Sequence, residues 1–151
     1  MKRALFSVPE HQDLISFARA LVALGWEIIV TPNLSGLFQK EGIPAVNVTS
    51  FVGVENTYPF PPTMHPKIEA ALTLERYPPI DLVYDITYSL DVGNDVGGHT
   101  LLALAVKGNR IVVHDVADMY RVIEALAQDK DHACIPESLR ADLIKRALSK
   151  T

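Results

Sequence analysis

The sequence predicts an α/β fold in which a parallel sheet carries helices on both faces. Two observations predict it. Short, continuous apolar runs alternate with segments of helical periodicity along the whole chain, and Gly or Pro punctuates most junctions between them. Alternation of this kind marks βαβ units, whose crossovers are nearly always right-handed. No internal repeat, low-complexity segment or linker interrupts the pattern, so residues 1–151 read as one domain.

Taken in order, Arg3 to Val8 reads as a short buried strand. From His11 to Leu24, apolar residues at 14, 15, 17, 18, 21, 22 and 24 form a helical stripe, which Gly25 stops. Trp26 to Val30 is a second strand and Thr31-Pro32-Asn33 a turn. A short helix, Leu34 to Glu41, ends at Gly42, and Ala45 to Val48 is a third, thinner strand. From Ser50 to Pro62 the alternation fails. Thr57-Tyr58-Pro59-Phe60, closed by Pro61 and Pro62, cannot continue a helix and reads as a loop over one face of the sheet. Pro66 opens a helix to about Glu75, and Ile80 to Ile86 is a fourth strand. A glycine turn then feeds a helix running to Val106, followed by a strand from Arg110 to His114. Val116 to Gln128 and Pro136 to Ser149 are the closing helices.

Composition excludes several classes of function. The 151 residues suffice for one real core but not for two comfortable domains. A net charge of −4 and the lack of clustered Lys and Arg argue against a nucleic-acid surface. Cys134 is the only cysteine, which rules out an internal disulfide and a Cys-type structural zinc site. Pro9-Glu10 cuts off the N-terminal apolar run before it reaches signal-peptide length, and no run is long enough to span a bilayer. The expectation is a soluble, cytoplasmic protein with no metal and no membrane or nucleic-acid partner.

The most informative stretch lies between Ile80 and Asn109. An apolar strand bearing Asp81 and Asp85 passes through Tyr88 to Asp95-Val96-Gly97-Gly98-His99-Thr100. This puts a carboxylate and two glycines where a strand hands over to a helix, the place where parallel sheets bind ligands. Free N–H groups at a helix start suit a phosphate or an oxyanion. The same residues also make an ordinary glycine turn feeding a crossover helix, and that reading stays open.

Thr63-Met64-His65-Pro66-Lys67-Ile68, Ile80-Asp81-Leu82-Val83, Tyr88, Asp95-Val96-Gly97-Gly98 and Lys107-Gly108-Asn109 occur in an order that resembles IMP cyclohydrolase. That is the N-terminal domain of the bifunctional purine-biosynthesis enzyme whose other domain is AICAR transformylase. The first strand and the final helix resemble that domain too, so the similarity covers essentially the full chain. The resemblance implies a methylglyoxal-synthase-like fold, a Rossmann-like parallel sheet of about five strands. It also implies closure of a formamido-imidazole-carboxamide ribonucleotide to IMP with loss of water. No cofactor is implied, because nucleophile and electrophile lie in one molecule. The partner is then a nucleotide-like small molecule, and association into a homodimer is expected from the family.

By the same resemblance Tyr88, Asp95 and Lys107 match the family's catalytic tyrosine, aspartate and lysine. The expected substrate-binding set is Ser7, His11, Thr31, Asn33, Thr63, Lys67, Gly97, Gly98 and Asn109. A straight helix from 95 to 107 would separate its ends by roughly 18 Å, so both can serve one site only if the chain bends or a second subunit contributes. Bland readings accompany these roles: His65 as a helix-start hydrogen bonder, Lys107 as a cation at a helix C-terminus, His114 as a strand-end cap.

The departures from the family fall on phosphate binding. Its Ser-Thr-Gly-Gly-Thr loop is Val30-Thr31-Pro32-Asn33-Leu34 here, and its Ser-Val-Ser-Asp-Lys is Ser7-Val8-Pro9-Glu10-His11. A family lysine is Pro62, a family arginine is Ala103, and the segment between Tyr88 and Asp95 is short. Two readings follow: a divergent IMP cyclohydrolase, or a non-catalytic small-ligand module on the same fold. A lyase of the methylglyoxal-synthase type ranks behind both.

Overall fold

The computed structural model describes residues 1–55, 57, 59–75, 77–87 and 95–149. Five strands make one parallel sheet: β1 (Arg3–Ser7), β2 (Glu27–Val30), β3 (Val46–Asn47), β4 (Leu82–Asp85) and β5 (Ile111–Val113), in the order β3-β2-β1-β4-β5. Seven described helices accompany them. They are α1 (Leu14–Ala23), α2 (Pro32–Lys40), α3 (Val48–Val52), α4 (Pro66–Thr73), α5 (Val96–Lys107), α6 (Val116–Gln128) and α7 (Glu137–Ser149).

Alternate residues of a strand face opposite sides, and here both sides are apolar. Phe6, Ile28, Val30, Leu82, Tyr84 and Val113 point into one core layer, packed by α1, α2 and α6. Leu5, Ile29, Val83 and Val112 point into the other, packed by α3, α4 and α5. Continuous apolar strands therefore mean two-sided burial. Truncating a fully buried ring such as Phe6 would cost about 3–5 kcal/mol.

The strand order reverses between β1 and β4. After β1 the chain turns into α1 on the first face, and after β4 it leads to α5 on the second. The two connections diverge and leave a crevice beyond the carboxyl ends of these strands.

Three expected boundaries are corrected. α1 starts at Leu14 rather than His11. The presumed turn at Thr31-Pro32-Asn33 is the start of α2, with Pro32 in the first turn, where a missing N–H costs nothing. Within the presumed loop 50–62, α3 runs to Val52, its first turn capped by the Asn47 side chain accepting from the Thr49 amide at 3.0 Å. Among the described residues no helix is long and apolar enough to cross a membrane.

Candidate functional site

The crevice at the reversal point is a cleft of about 520 Å³. Ser7 to Pro9 after β1, Thr31 and Asn33 at the start of α2, residues 85–87 after β4, and Asp95 before α5 line it. Four expected site residues, Ser7, Thr31, Asn33 and Asp95, are thus brought together.

Ser7 and Asp85 occupy the last register pair of β1 and β4 and project toward the same face. Asp85 is only 2% exposed, and its Oδ2 has no hydrogen-bond partner among the described residues. Burial pushes this carboxyl up from 3.8 to about 7, the negative charge of Asp95 pushes in the same direction, and the neighbouring Ser7 hydroxyl opposes both. Asp95 is the N-cap of α5, its Oδ1 accepting from the Gly98 amide at 3.1 Å. Two carboxyl groups therefore face one cleft, and one of them titrates near neutrality.

The glycines have a local reason. A Cβ on Gly98 would lie 2.5–2.8 Å from the Asp95 carboxylate, so only glycine lets the cap fold over this turn. A Cβ on Gly97 would meet Pro61 at 3.4 Å and the buried Thr63 hydroxyl at 3.8 Å, which places Thr63 under the start of α5 rather than on the cleft wall.

Thr31 and Asn33 hold the two loops together. Thr31 Oγ1 donates to Asn33 Oδ1 at 2.5 Å, and Asn33 Nδ2 donates to the Val8 carbonyl at 3.1 Å. His11 turns away from the cleft into the aromatic layer, its Nε2 3.0 Å from the Tyr84 hydroxyl. Burial lowers its pKa, a trend partly opposed by Asp13, and burial likewise raises that of Tyr84. His114 Nε2 lies 2.8 Å from Thr87 Oγ1, behind the wall.

Lys107 and Asn109 are not brought to this cleft. α5 is one continuous helix, so Lys107 stands roughly 18 Å from Asp95 along its axis, exposed at the far end. The Lys107-Gly108-Asn109 run is a helix stop. A Cβ on Gly108 would sit 1.7 Å from the Leu72 carbonyl. Asn109 adopts φ +54°, and its carbonyl accepts from Arg140 at 2.8 Å. Lys67 does not line the cleft; its Nζ lies 3.9 Å from the position a Cβ on Gly53 would take. His65 acts as the bland reading had it, capping α4 through Nδ1, which accepts from the Lys67 amide at 3.1 Å. Tyr88 lies outside the described residues.

Asp85 is the residue that sequence reasoning noticed and did not assign. The available signal was a carboxylate at the last position of a buried strand beside the strand-order reversal.

The chain is 34% identical to the bifunctional purine biosynthesis protein PurH of Oenococcus oeni over 165 residues, covering 85% of this chain and 31% of that protein. It is 30% identical to PurH of Chelativorans sp., a match covering 100% of this chain and 33% of the relative. The chain is related to PurH. PurH of Streptococcus mutans is similar at 31% over 83% of this chain. The chain spans about a third of the length of these curated PurH relatives. No protein-family model matches it. In three dimensions it superposes on the crystal structure of ForH with a TM-score of 0.83 and 23% identity, covering 99% of this chain and 92% of that one. At that identity the likeness bears on the fold, which it supports as a Rossmann-like α/β sheet.

Proposed function

We propose that this cleft performs IMP-cyclohydrolase-type chemistry, closing the pyrimidine ring of a formamido-imidazole-carboxamide with loss of water. The observation that carries the reading is the facing of Asp85 and Asp95 across one cleft, in a chain related to PurH. In the reaction the carboxamide nitrogen attacks the formyl carbon and a C–N bond forms. Two protons then pass from nitrogen to the former formyl oxygen, which departs as water as the C=N bond forms. One base and one acid suffice, and each is restored after the second transfer. Asp95 takes the proton from the attacking nitrogen. Asp85, held protonated by burial up to about pH 7, donates to the oxygen. Ser7 stands beside Asp85 in the strand register, and the walls hold the two ends of the substrate in a near-attack geometry.

The test is turnover: purified protein with the formylated carboxamide, followed by the absorbance of the closed ring. A rate above the spontaneous one, lost on Asp95→Asn, supports the reading. A rate equal to the spontaneous one at high enzyme concentration removes it.

A second reading, a ligand-binding module without turnover, is favoured by one observation. Among the described lining residues there is no Lys or Arg to stabilise an oxyanion. Thermal stabilisation by the closed-ring product without any ring closure would select it.

A further inference from the structure

We propose that the ligand of this cleft carries no phosphate: it is a neutral, N–H-rich heterocyclic carboxamide, at nucleoside or free-base level, that donates to the Asp85 carboxyl. The reacting end is taken from the ring-closure reading above; what is added is the class of the remainder.

The buried acceptor comes first. Asp85 is one of the residues lining the cleft, and its buried Oδ2 has no hydrogen-bond partner among the described residues. A buried acceptor in that position is satisfied by a donor that arrives with the ligand. A carboxamide offers both an N–H for the acceptor oxygen of a neutral carboxyl and a carbonyl for its proton, whereas a phosphate dianion offers acceptors alone.

The charge of the whole carboxyl edge comes second. The segments following the strands, residues 8–18, 31–39, 48–66, 86–106 and 114–120, contain no Lys or Arg at all. They do contain Glu10, Asp13, Glu55, Asp91, Asp95, Asp115 and Asp118, the last two paired with Arg146 of α7 at 2.8 Å. Residues 88–94 enter this count through their sequence alone. Arg19, Lys40, Lys67, Lys107 and Arg121 stand just beyond these segments, and none of them lines the cleft. A phosphate dianion entering the cleft meets the carboxyl groups of Asp85 and Asp95 and, among the described lining residues, no guanidinium or ammonium.

The start of α2 comes third. Pro32 removes one backbone donor from its first turn, and the Thr31 and Asn33 side chains are committed to each other and to the Val8 carbonyl. The groups that would cradle a phosphate are used to tie two loops together.

The experiment offers the protein 5-formamidoimidazole-4-carboxamide as the 5′-monophosphate, the riboside and the free base, and reads ring closure. In parallel, calorimetry measures binding of inosine 5′-monophosphate, inosine and hypoxanthine at low and high salt. The expected result is a kcat/KM at least about tenfold higher for the riboside or base than for the monophosphate. Inosine or hypoxanthine should bind with little salt dependence, while the monophosphate binds more weakly and tightens as salt screens the acidic rim. Asp85→Asn should weaken inosine and hypoxanthine about tenfold, and unchanged binding of both would overturn the Asp85 contact. Equal or better use of the monophosphate overturns the proposal while ring closure stands. If none of the three is turned over, the ring-closure reading fails and binding alone decides: uncharged ligands bound tighter than the monophosphate sustain the proposal, and any other ranking, or no binding, overturns it.

Discussion

Ser7 and Asp85 face one another as the last registered pair of β1 and β4, and the Asp85 carboxyl is almost wholly removed from water. The neighbouring Ser7 hydroxyl does not offset the burial. Below about pH 4 Asp85 is protonated in both folded and unfolded chains and costs nothing. As pH rises toward 7 the unfolded chain ionises and the folded one does not, so stability falls over that window and then levels off. Asp85→Asn removes the titration and keeps the size and shape of the side chain. We expect the variant to gain stability over the wild type as pH rises from about 4 to 7, by no more than about 4 kcal/mol above that range. Denaturant midpoints across pH check this, and a constant difference would contradict it.

His11 acts in the opposite direction. Its burial lowers the folded pKa below 6.5, so the unfolded chain binds the proton more readily and stability is lost as pH falls through that value. His11→Gln keeps an acceptor for the Tyr84 hydroxyl and removes the charge. Its melting temperature should fall less than the wild type's between about pH 7 and pH 5.

Gly97 and Gly98 should respond differently to the same substitution. Gly98→Ala drives a methyl into the Asp95 carboxylate and breaks the cap, at about 1–2 kcal/mol, and it disturbs the cleft wall. Gly97→Ala meets Pro61 at an ordinary contact distance and gains helix propensity, for a change near zero or a gain of up to about 1 kcal/mol. Thermal denaturation of the two variants checks the contrast. Equal losses would mean that the cap does not constrain position 98.

Lys107→Ala should leave ring closure within about twofold of the wild type, because a residue at the far end of α5 cannot touch a substrate bound beside Asp95 in the same chain. A loss of a hundredfold would mean that Lys107 of a second copy reaches the cleft, and analytical ultracentrifugation would then find a dimer.

The sheet was legible because its strands are apolar on both faces, and the helical stripes marked which segments cross over it. α3 was missed because five residues rich in β-branched and aromatic side chains show no helical period. α2 was shortened because Pro32 reads as a turn until its place in the first helical turn is seen. In the cleft, Ser7, Thr31, Asn33 and Asp95 were legible because they end strands or begin helices at the carboxyl edge. Lys107 and Asn109 were drawn in by the resemblance, although helix rise alone argued against them; their spacing serves a helix stop built on Gly108 and Arg140. Asp85 went unassigned because its one signal, a carboxylate at the end of a buried strand, points to a cleft only once the strand order is known.

The most direct measurement is the pH dependence of ring closure by the wild type and by Asp85→Asn. Because Asp85 must hold its proton to act as the acid, the wild-type rate should fall as pH rises through about 7, and that limb should vanish in the variant together with most of the activity. A wild-type rate no greater than the spontaneous reaction at any pH, or an Asp85→Asn profile that keeps both the limb and the rate, would contradict the account.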